Sequence, residues 1–209
     1  MTGSTPFDAL APEYHILWNN SQRSRVWSEI DPLFHPGDRI LDVGCGTGDD
    51  ALHLAEAGVE VFGIDASSKM IEIAAARGAK VQRLGIEDLA KLNERFHGAI
   101  SNFGALNCIQ DLRPVAVQLA RLVLAGSVVA ICIMGSFAWG ETLKSAAKLD
   151  LRRATRRWSG HATWRGTDVF YHSSRQVRAA FAPEFSFERR VSIGRGDHQL
   201  YLFRRRAAC

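Results

Sequence analysis

The chain has 209 residues, 46% of them hydrophobic and 23% charged, with a net charge of +4. That is enough for one α/β domain with a substantial core, and it excludes a disordered or fibrous chain. No apolar run approaches the roughly 20 residues that span a bilayer, and the first ten residues lack the basic and apolar stretches of a signal peptide. Four scattered cysteines (Cys45, Cys108, Cys132, Cys209) form no C-x-x-C pair, which argues against a zinc site or disulfide framework and for a reducing, cytoplasmic setting.

In chain order, Phe7, Leu10, Tyr14, Leu17 and Trp18 recur at helical spacing, as do Val26, Ile30, Leu33 and Phe34, until Pro36-Gly37 breaks the pattern. Asp38 to Val43 reads as a strand, Asp50 to Ala57 as a helix stopped by Gly58, and Val59 to Asp65 as a second strand. A helix follows over Ser67 to Arg77, with Ser67 or Ser68 as its N-cap, then short strands over Lys80 to Leu84 and Ala99 to Phe103. Arg113-Pro114 opens a helix, with its apolar face over Val115 to Leu124 and a stop at Gly126. Ser127 to Met134 is a fully apolar strand of the kind covered on both faces. The alternation predicts βαβ units, a parallel sheet, and ligands at the carboxyl ends of its strands.

Residues 135–166 break this rhythm with Trp139, Trp158, Trp164 and many arginines, and read as a helical lid inserted after the fifth strand. Between 141 and 178, nine basic residues face three acidic ones, a local +6 that leaves the remainder at −2. Arg152, Arg153, Arg156 and Arg157 group into two adjacent helical stripes. A solvated face ranks first for them, an anionic small molecule second and nucleic acid third, because the patch is short and the total charge small. Ser173 to Phe181 resumes as a helix, and Phe185 to Ile193 and His198 to Phe203 pair across a glycine-containing turn. One domain results: a helical cap over 1–37, a core over 38–134, a lid over 135–166 and a sheet completion over 167–209.

The chemistry concentrates in Asp42-Val43-Gly44-Cys45-Gly46-Thr47-Gly48-Asp49-Asp50, a strand that ends in three alternate glycines and runs into a helix. Such a turn lets a ligand approach the backbone. The third glycine comes one residue too early for the dinucleotide fingerprint, and no Gly-Lys-Ser/Thr follows as in a phosphate loop. Asp49 stands where a pyrophosphate would meet the helix N-terminus, so the loop favours a ligand with a cation and hydroxyls. Asp65, 21 positions after Gly44, ends the second strand, where an acid accepts from two ribose hydroxyls.

Asp42, Gly44, Gly46 and Gly48 meet the E/D-x-G-x-G-x-G motif, and the chain resembles the class I S-adenosylmethionine-dependent methyltransferases over roughly residues 7 to 134. Phe7-Asp8-Ala9-Leu10-Ala11-Pro12-Glu13-Tyr14-His15 is similar to the lead-in of ubiquinone-type small-molecule members, with His15 in place of an aspartate. The resemblance implies a Rossmann-like seven-stranded, mostly parallel sheet with helices on both faces and an antiparallel last strand. It implies S-adenosyl-L-methionine as cofactor, S-adenosyl-L-homocysteine as product, and a small-molecule acceptor. In that frame the loop with Cys45 holds the methionine portion, Asp65 the ribose, and Ala66 and Met70 flank the adenine, although Met70 reads equally as core. Ile86, Glu87 and Asp88 line the adenine, with Gly85 replacing the usual aspartate and leaving open which acid faces the amino group. Asn102 and Phe103 face the methionine end and the acceptor, Tyr14 closes over the cofactor, and Arg25 or Arg23 meets its carboxylate.

His161, His172 and Tyr171 are the candidate general bases, although methyl transfer from a sulfonium can proceed on positioning alone. No metal-ligand pattern is visible, and the absent N-P-P-Y/F argues against DNA adenine or protein glutamine acceptors. The expected reaction is methyl transfer to an O, N or C nucleophile of a small metabolite, with anionic ones among the candidates. An RNA methyltransferase, a non-catalytic S-adenosylmethionine-binding regulatory module and a nicotinamide-dependent reductase are the rivals. The acceptor and the oligomeric state are not legible.

Overall fold

The computed structural model describes residues 5–14, 20–136, 160–194 and 198–207. The lid residues Trp139, Arg152, Arg153, Arg156, Arg157 and Trp158, with Leu17, Trp18 and His15 of the lead-in and Cys209, lie outside the described residues.

Five strands run parallel: β1 (Arg39–Val43), β2 (Glu60–Asp65), β3 (Lys80–Arg83), β4 (Phe96–Ser101) and β5 (Val123–Met134). Strands β8 (Phe185–Ile193) and β9 (His198–Arg205) complete a seven-stranded sheet of order β3-β2-β1-β4-β5-β9-β8, in which β9 runs antiparallel to both neighbours. The chain winds outward from β1 to β3 and then crosses to β4, so β1 and β4 meet at the topological switch point. In open α/β sheets the ligand crevice lies at that point, outside the carboxyl ends of the strands.

Helices α1 (Asn20–Ile30) and α2 (Asp49–Glu56) contribute to one apolar layer through Val26, Ile30, Ala51 and Leu54, together with Phe34, Ile40, Ile100 and Leu202. Helices α4 (Arg113–Leu122) and α5 (Ser174–Phe181) contribute to the other through Val115, Leu119, Val177 and Phe181, against Phe96, Ile131, Tyr201 and Phe203. Helix α3 (Ser68–Ala76) follows β2, and its N-cap is Ser67, whose Oγ accepts from the Met70 N–H at 3.1 Å. Within β5, Val129 to Ile133 are fully buried, as a strand covered on both faces requires.

Several boundaries differ from the sequence reading, most by a residue or two and a few by more. Strand β4 begins at Phe96 rather than Ala99, because the Phe96 ring is a fully buried core residue. Helix α4 ends at Leu122, and β5 starts at Val123, where a β-branched residue pairs with Phe96 before the register shifts. Gly126 lies inside that irregular stretch of strand rather than stopping a helix. The described end of the expected helical lid is a hairpin: β6 (His161–Trp164) pairs antiparallel with β7 (Thr167–Phe170). Arg165 and Gly166 both take positive φ at its tip, the geometry of a two-residue primed turn.

Asn107 ties the hairpin to the sheet. Its Nδ2 donates to the carbonyls of Met134 at 2.9 Å and Phe170 at 2.7 Å, and its Oδ1 accepts from the Met134 N–H at 2.8 Å. Asn107 is fully buried, so Asn107→Ala strands two carbonyls and an N–H. The expected loss is about 2–4 kcal/mol, read as a lower urea midpoint at unchanged m-value.

Candidate functional site

The glycine loop is held to the end of β2, with the N–H groups of Gly44 and Cys45 both donating to the Ile64 carbonyl at 2.8 and 2.9 Å. The Cys45 side chain packs on Gly63, where a Cβ would stand 2.8 Å from Sγ. Burial pushes the Cys45 thiol far up, so it packs as an inert apolar group. Gly46 lies under the Tyr14 ring, and a Cβ there would come within 3.1 Å of Cε1. Gly48 takes φ 81° as the N-cap of α2.

Asp65 is fixed from both sides. Oδ2 accepts from the Gly46 N–H at 3.0 Å and Oδ1 from the Ser67 N–H at 2.9 Å. Each oxygen keeps a further lone pair for a hydroxyl donor. Burial raises the Asp65 carboxyl above its ordinary value, the two N–H bonds oppose that, and nearby Asp8 adds to it.

Asp8 stands in the lead-in motif, but the sequence assigned it no role. Its Oδ1 accepts from Ser67 Oγ at 2.6 Å and from the Lys69 N–H at 3.1 Å, so it docks the lead-in on the N-terminus of α3. Burial raises the Cys108 thiol to about 11, and the charges of Asp65 and Glu87 add to it.

Asp49 does not aim its charge into the crevice. Arg23 pairs with it at 3.2 Å and Arg77 at 2.6 Å, and Arg77 also donates to the Thr47 carbonyl at 2.7 Å. The buried acids of the crevice are Asp42 and Asp50. Asp50 Oδ1 accepts from Trp27 Nε1 at 2.8 Å and lies 3.4 Å from Arg23 Nη1, while Oδ2 accepts from Asn102 Nδ2 at 3.0 Å. Arg23 and Trp27 are one turn apart on α1, so both reach Asp50. Arg25 leaves from another side of the helix and pairs with Glu29 at 2.9 Å, with its side chain half exposed. The structure therefore directs Arg25 away from the loop and brings Arg23 to it, a correction that follows from helix phase.

Two buried acceptors lack a hydrogen-bond partner here: Asp42 Oδ2 and Asn102 Oδ1. Burial, and then the charges of Asp50 and Asp65, raise the Asp42 carboxyl well above its ordinary value, against the opposing pull of Arg23. The folded state then keeps a proton that the unfolded chain has released, so stability falls as pH rises through that window. Asp42→Asn cannot ionise. Without cofactor it is expected to be more stable than wild type at neutral pH, with the gap closing as pH falls toward about 4. Thermal scans across that range check it.

The remaining predicted residues separate. Met70 is buried, and Ala66 is exposed with its carbonyl accepting from Arg83 Nε at 3.2 Å. Ile86, Glu87 and Asp88 share the short helical turn Ile86–Lys91. The Glu87 carboxyl folds over Gly85, where a Cβ would meet it at 2.8 Å, and Asp88 pairs with Lys91 at 2.9 Å. Phe103 takes φ 53°, lies 5.0 Å beneath the Arg23 guanidinium, and meets the ring of buried His198 edge-on at 5.9 Å.

Of the proposed bases, His172 is tied through Nε2 to the Ile109 carbonyl at 3.0 Å, and burial lowers its pKa. His161 pairs with Asp168 at 2.9 Å on the exposed face of the hairpin. Tyr171 is buried, with its N–H on the Gly160 carbonyl at 2.8 Å. Among the described residues no group of three or more His, Cys, Asp or Glu is placed to hold a metal, and no helix is long and apolar enough to cross a membrane.

Residues 40–126 match the family described as "Methyltransferase domain". Over that stretch the chain is similar to the class I S-adenosylmethionine-dependent methyltransferases. The chain is 32% identical over 146 residues to the 2-phytyl-1,4-naphtoquinone methyltransferase of Synechococcus elongatus, a match covering 61% of each chain. It is 33% identical over 136 residues to the ubiquinone biosynthesis O-methyltransferase of Alkalilimnicola ehrlichii, covering 57% of this chain and 54% of that one. The match thus spans under two thirds of either relative. The CcbJ methyltransferase of Streptomyces caelestis superposes with a TM-score of 0.73 at 14% identity, covering 98% of this chain and 99% of that one, which speaks to the fold.

Proposed function

We propose that this chain transfers the methyl group of S-adenosyl-L-methionine to an O, N or C nucleophile of a small molecule. The observation that carries the reading is the pairing of a preset carboxylate, Asp65, with two buried, unpartnered acceptors, Asp42 Oδ2 and Asn102 Oδ1, at one switch point. The residues fit a ligand that carries vicinal hydroxyls at one end and an ammonium at the other. Asp65 takes the ribose hydroxyls, and Asp42 and Asn102 accept from the ammonium. Arg23 faces the methionyl carboxylate, and Tyr14 covers the loop. Ala66, Met70, Ile86 and Glu87 border the adenine, whereas Asp88 is engaged with Lys91 outside.

When bound, the cofactor supplies a methyl group on a sulfonium, a good leaving group for in-line displacement. The chain's part is to align the acceptor beside Phe103 and exclude water, and such alignment reaches effective molarities of about 10⁵–10⁸ M. Of the three candidate bases, His172 is poorly suited to proton removal, because its Nε2 is committed to a carbonyl and burial lowers its pKa, and His161 is engaged by Asp168. The name of the Alkalilimnicola relative, an O-methyltransferase, supports a hydroxyl acceptor, and that of the Synechococcus relative a naphthoquinone-like one. A cytoplasmic setting belongs to the same proposal, supported by the free thiols of Cys45, Cys108 and Cys132.

The test is incubation with methyl-tritiated cofactor, a naphthohydroquinone and a metabolite extract. Label in an organic-extractable product is the expected result. Label only in added RNA would replace the acceptor class, and cofactor binding with no label transferred at all would favour the regulatory module.

A further inference from the structure

Asn102 follows β4 level with the glycine loop, since continuing the Asp42–Ile100 register by two residues sets it beside Gly44. Its side chain is buried, and the two ends of its amide have different fates. Nδ2 donates to Asp50 Oδ2 at 3.0 Å, while Oδ1 has no partner. The amide would be equally comfortable turned end for end if its neighbour were neutral, but a carboxylate only accepts. Asp50 is itself held by Trp27 Nε1 at 2.8 Å and flanked by the Arg23 guanidinium, so its carboxylate is fixed against α1. A buried acceptor left unsatisfied has lost its water with nothing in exchange, and this arrangement imposes that cost on Asn102 Oδ1.

We propose that Asp50 is a positioning residue: it orients the Asn102 amide so that Oδ1 waits, already desolvated, for the ammonium of the methionyl group. Asp50 touches no ligand in this account and acts through Asn102. The inference rests on the cofactor reading above and adds the device that points one of its acceptors.

The experiment is calorimetric titration with two thioethers, S-adenosyl-L-homocysteine and 5′-methylthioadenosine, which share the nucleoside and differ in the amino-acid end. In Asp50→Asn, the introduced amide must turn its oxygen to Trp27 and its NH2 to Asn102. The Asn102 amide then turns over and presents NH2 to the ammonium. The homocysteine ligand is expected to lose about 10- to 100-fold in affinity, the worth of a hydrogen bond to a charged group, while methylthioadenosine binding stays unchanged.

Exchanging the pair, Asp50→Asn with Asn102→Asp, keeps the charge under Arg23. It restores an acceptor toward the ammonium, so affinity for the homocysteine ligand should recover. Equal losses for both ligands, no loss, or no recovery in the exchanged pair would each overturn the assignment of Asp50. Failure of the wild-type protein to bind either thioether would instead overturn the cofactor reading beneath it.

Discussion

Asp65→Ala is expected to lower the affinity for S-adenosyl-L-homocysteine by about 100-fold or more, since two hydrogen bonds to a charged group are worth about 1.5–3 kcal/mol each. The carboxylate is held by the Gly46 and Ser67 N–H groups before any ligand arrives, so no ordering cost offsets the gain on binding. Asp65→Asn separates geometry from charge. The amide keeps one oxygen acceptor but meets a backbone N–H with its own NH2, and the loss should be nearly as large. Titration calorimetry of the two variants against wild type reads both numbers. An affinity within threefold of wild type in Asp65→Ala, allowing for about 0.6 kcal/mol of indirect effects, removes Asp65 from the ribose site.

Gly44→Ala should damage fold and site together. Gly44 takes φ 76°, and a Cβ there would stand 2.2 Å from the Cβ of Ala105, far inside contact distance. Left-handed backbone costs an L-residue about 1–2 kcal/mol, and overpacking costs about 1–3 kcal/mol more. At about 2–4 °C per kcal/mol for a domain of this size, the melting temperature should drop by about 4–20 °C. Because Gly44 and Ala105 lie where β1 and β4 separate, relief of the clash widens the crevice, so cofactor binding should fall as well. Gly44→Ala with Ala105→Gly removes the steric part and leaves the φ strain. A double variant no more stable than Gly44→Ala would show that the contact with Ala105 is not the cause.

The sheet was legible because its strands and helices carry strong periodicity and punctuation. Val129 to Ile133 is apolar without interruption, and Gly58 and the Ser67 cap mark helix ends by chemistry that needs no tertiary partner. The motif loop and Asp65 were legible by spacing. What escaped were residues whose role depends on a distant partner. Asp8 reads as an ordinary acid until the lead-in folds across α3, 59 positions away. Asp50 looks like the exposed twin of Asp49, yet the two diverge on α2: Asp49 is engaged by Arg23 and Arg77, Asp50 by Trp27 and Asn102. The choice between Arg23 and Arg25 was one of helix phase, which the apolar positions Val26 and Ile30 could have set. The hairpin at His161–Phe170 was hidden by its surroundings, a basic stretch whose strand signal is only four residues a side.

The most direct measurement is a crystal structure of the protein grown with S-adenosyl-L-homocysteine. Both ribose hydroxyls should lie within hydrogen-bond distance of the two Asp65 oxygens, with the ammonium against Asn102 Oδ1 and Asp42. A nucleoside bound elsewhere, or none at all with Asp65 still facing only Gly46 and Ser67, would contradict the account.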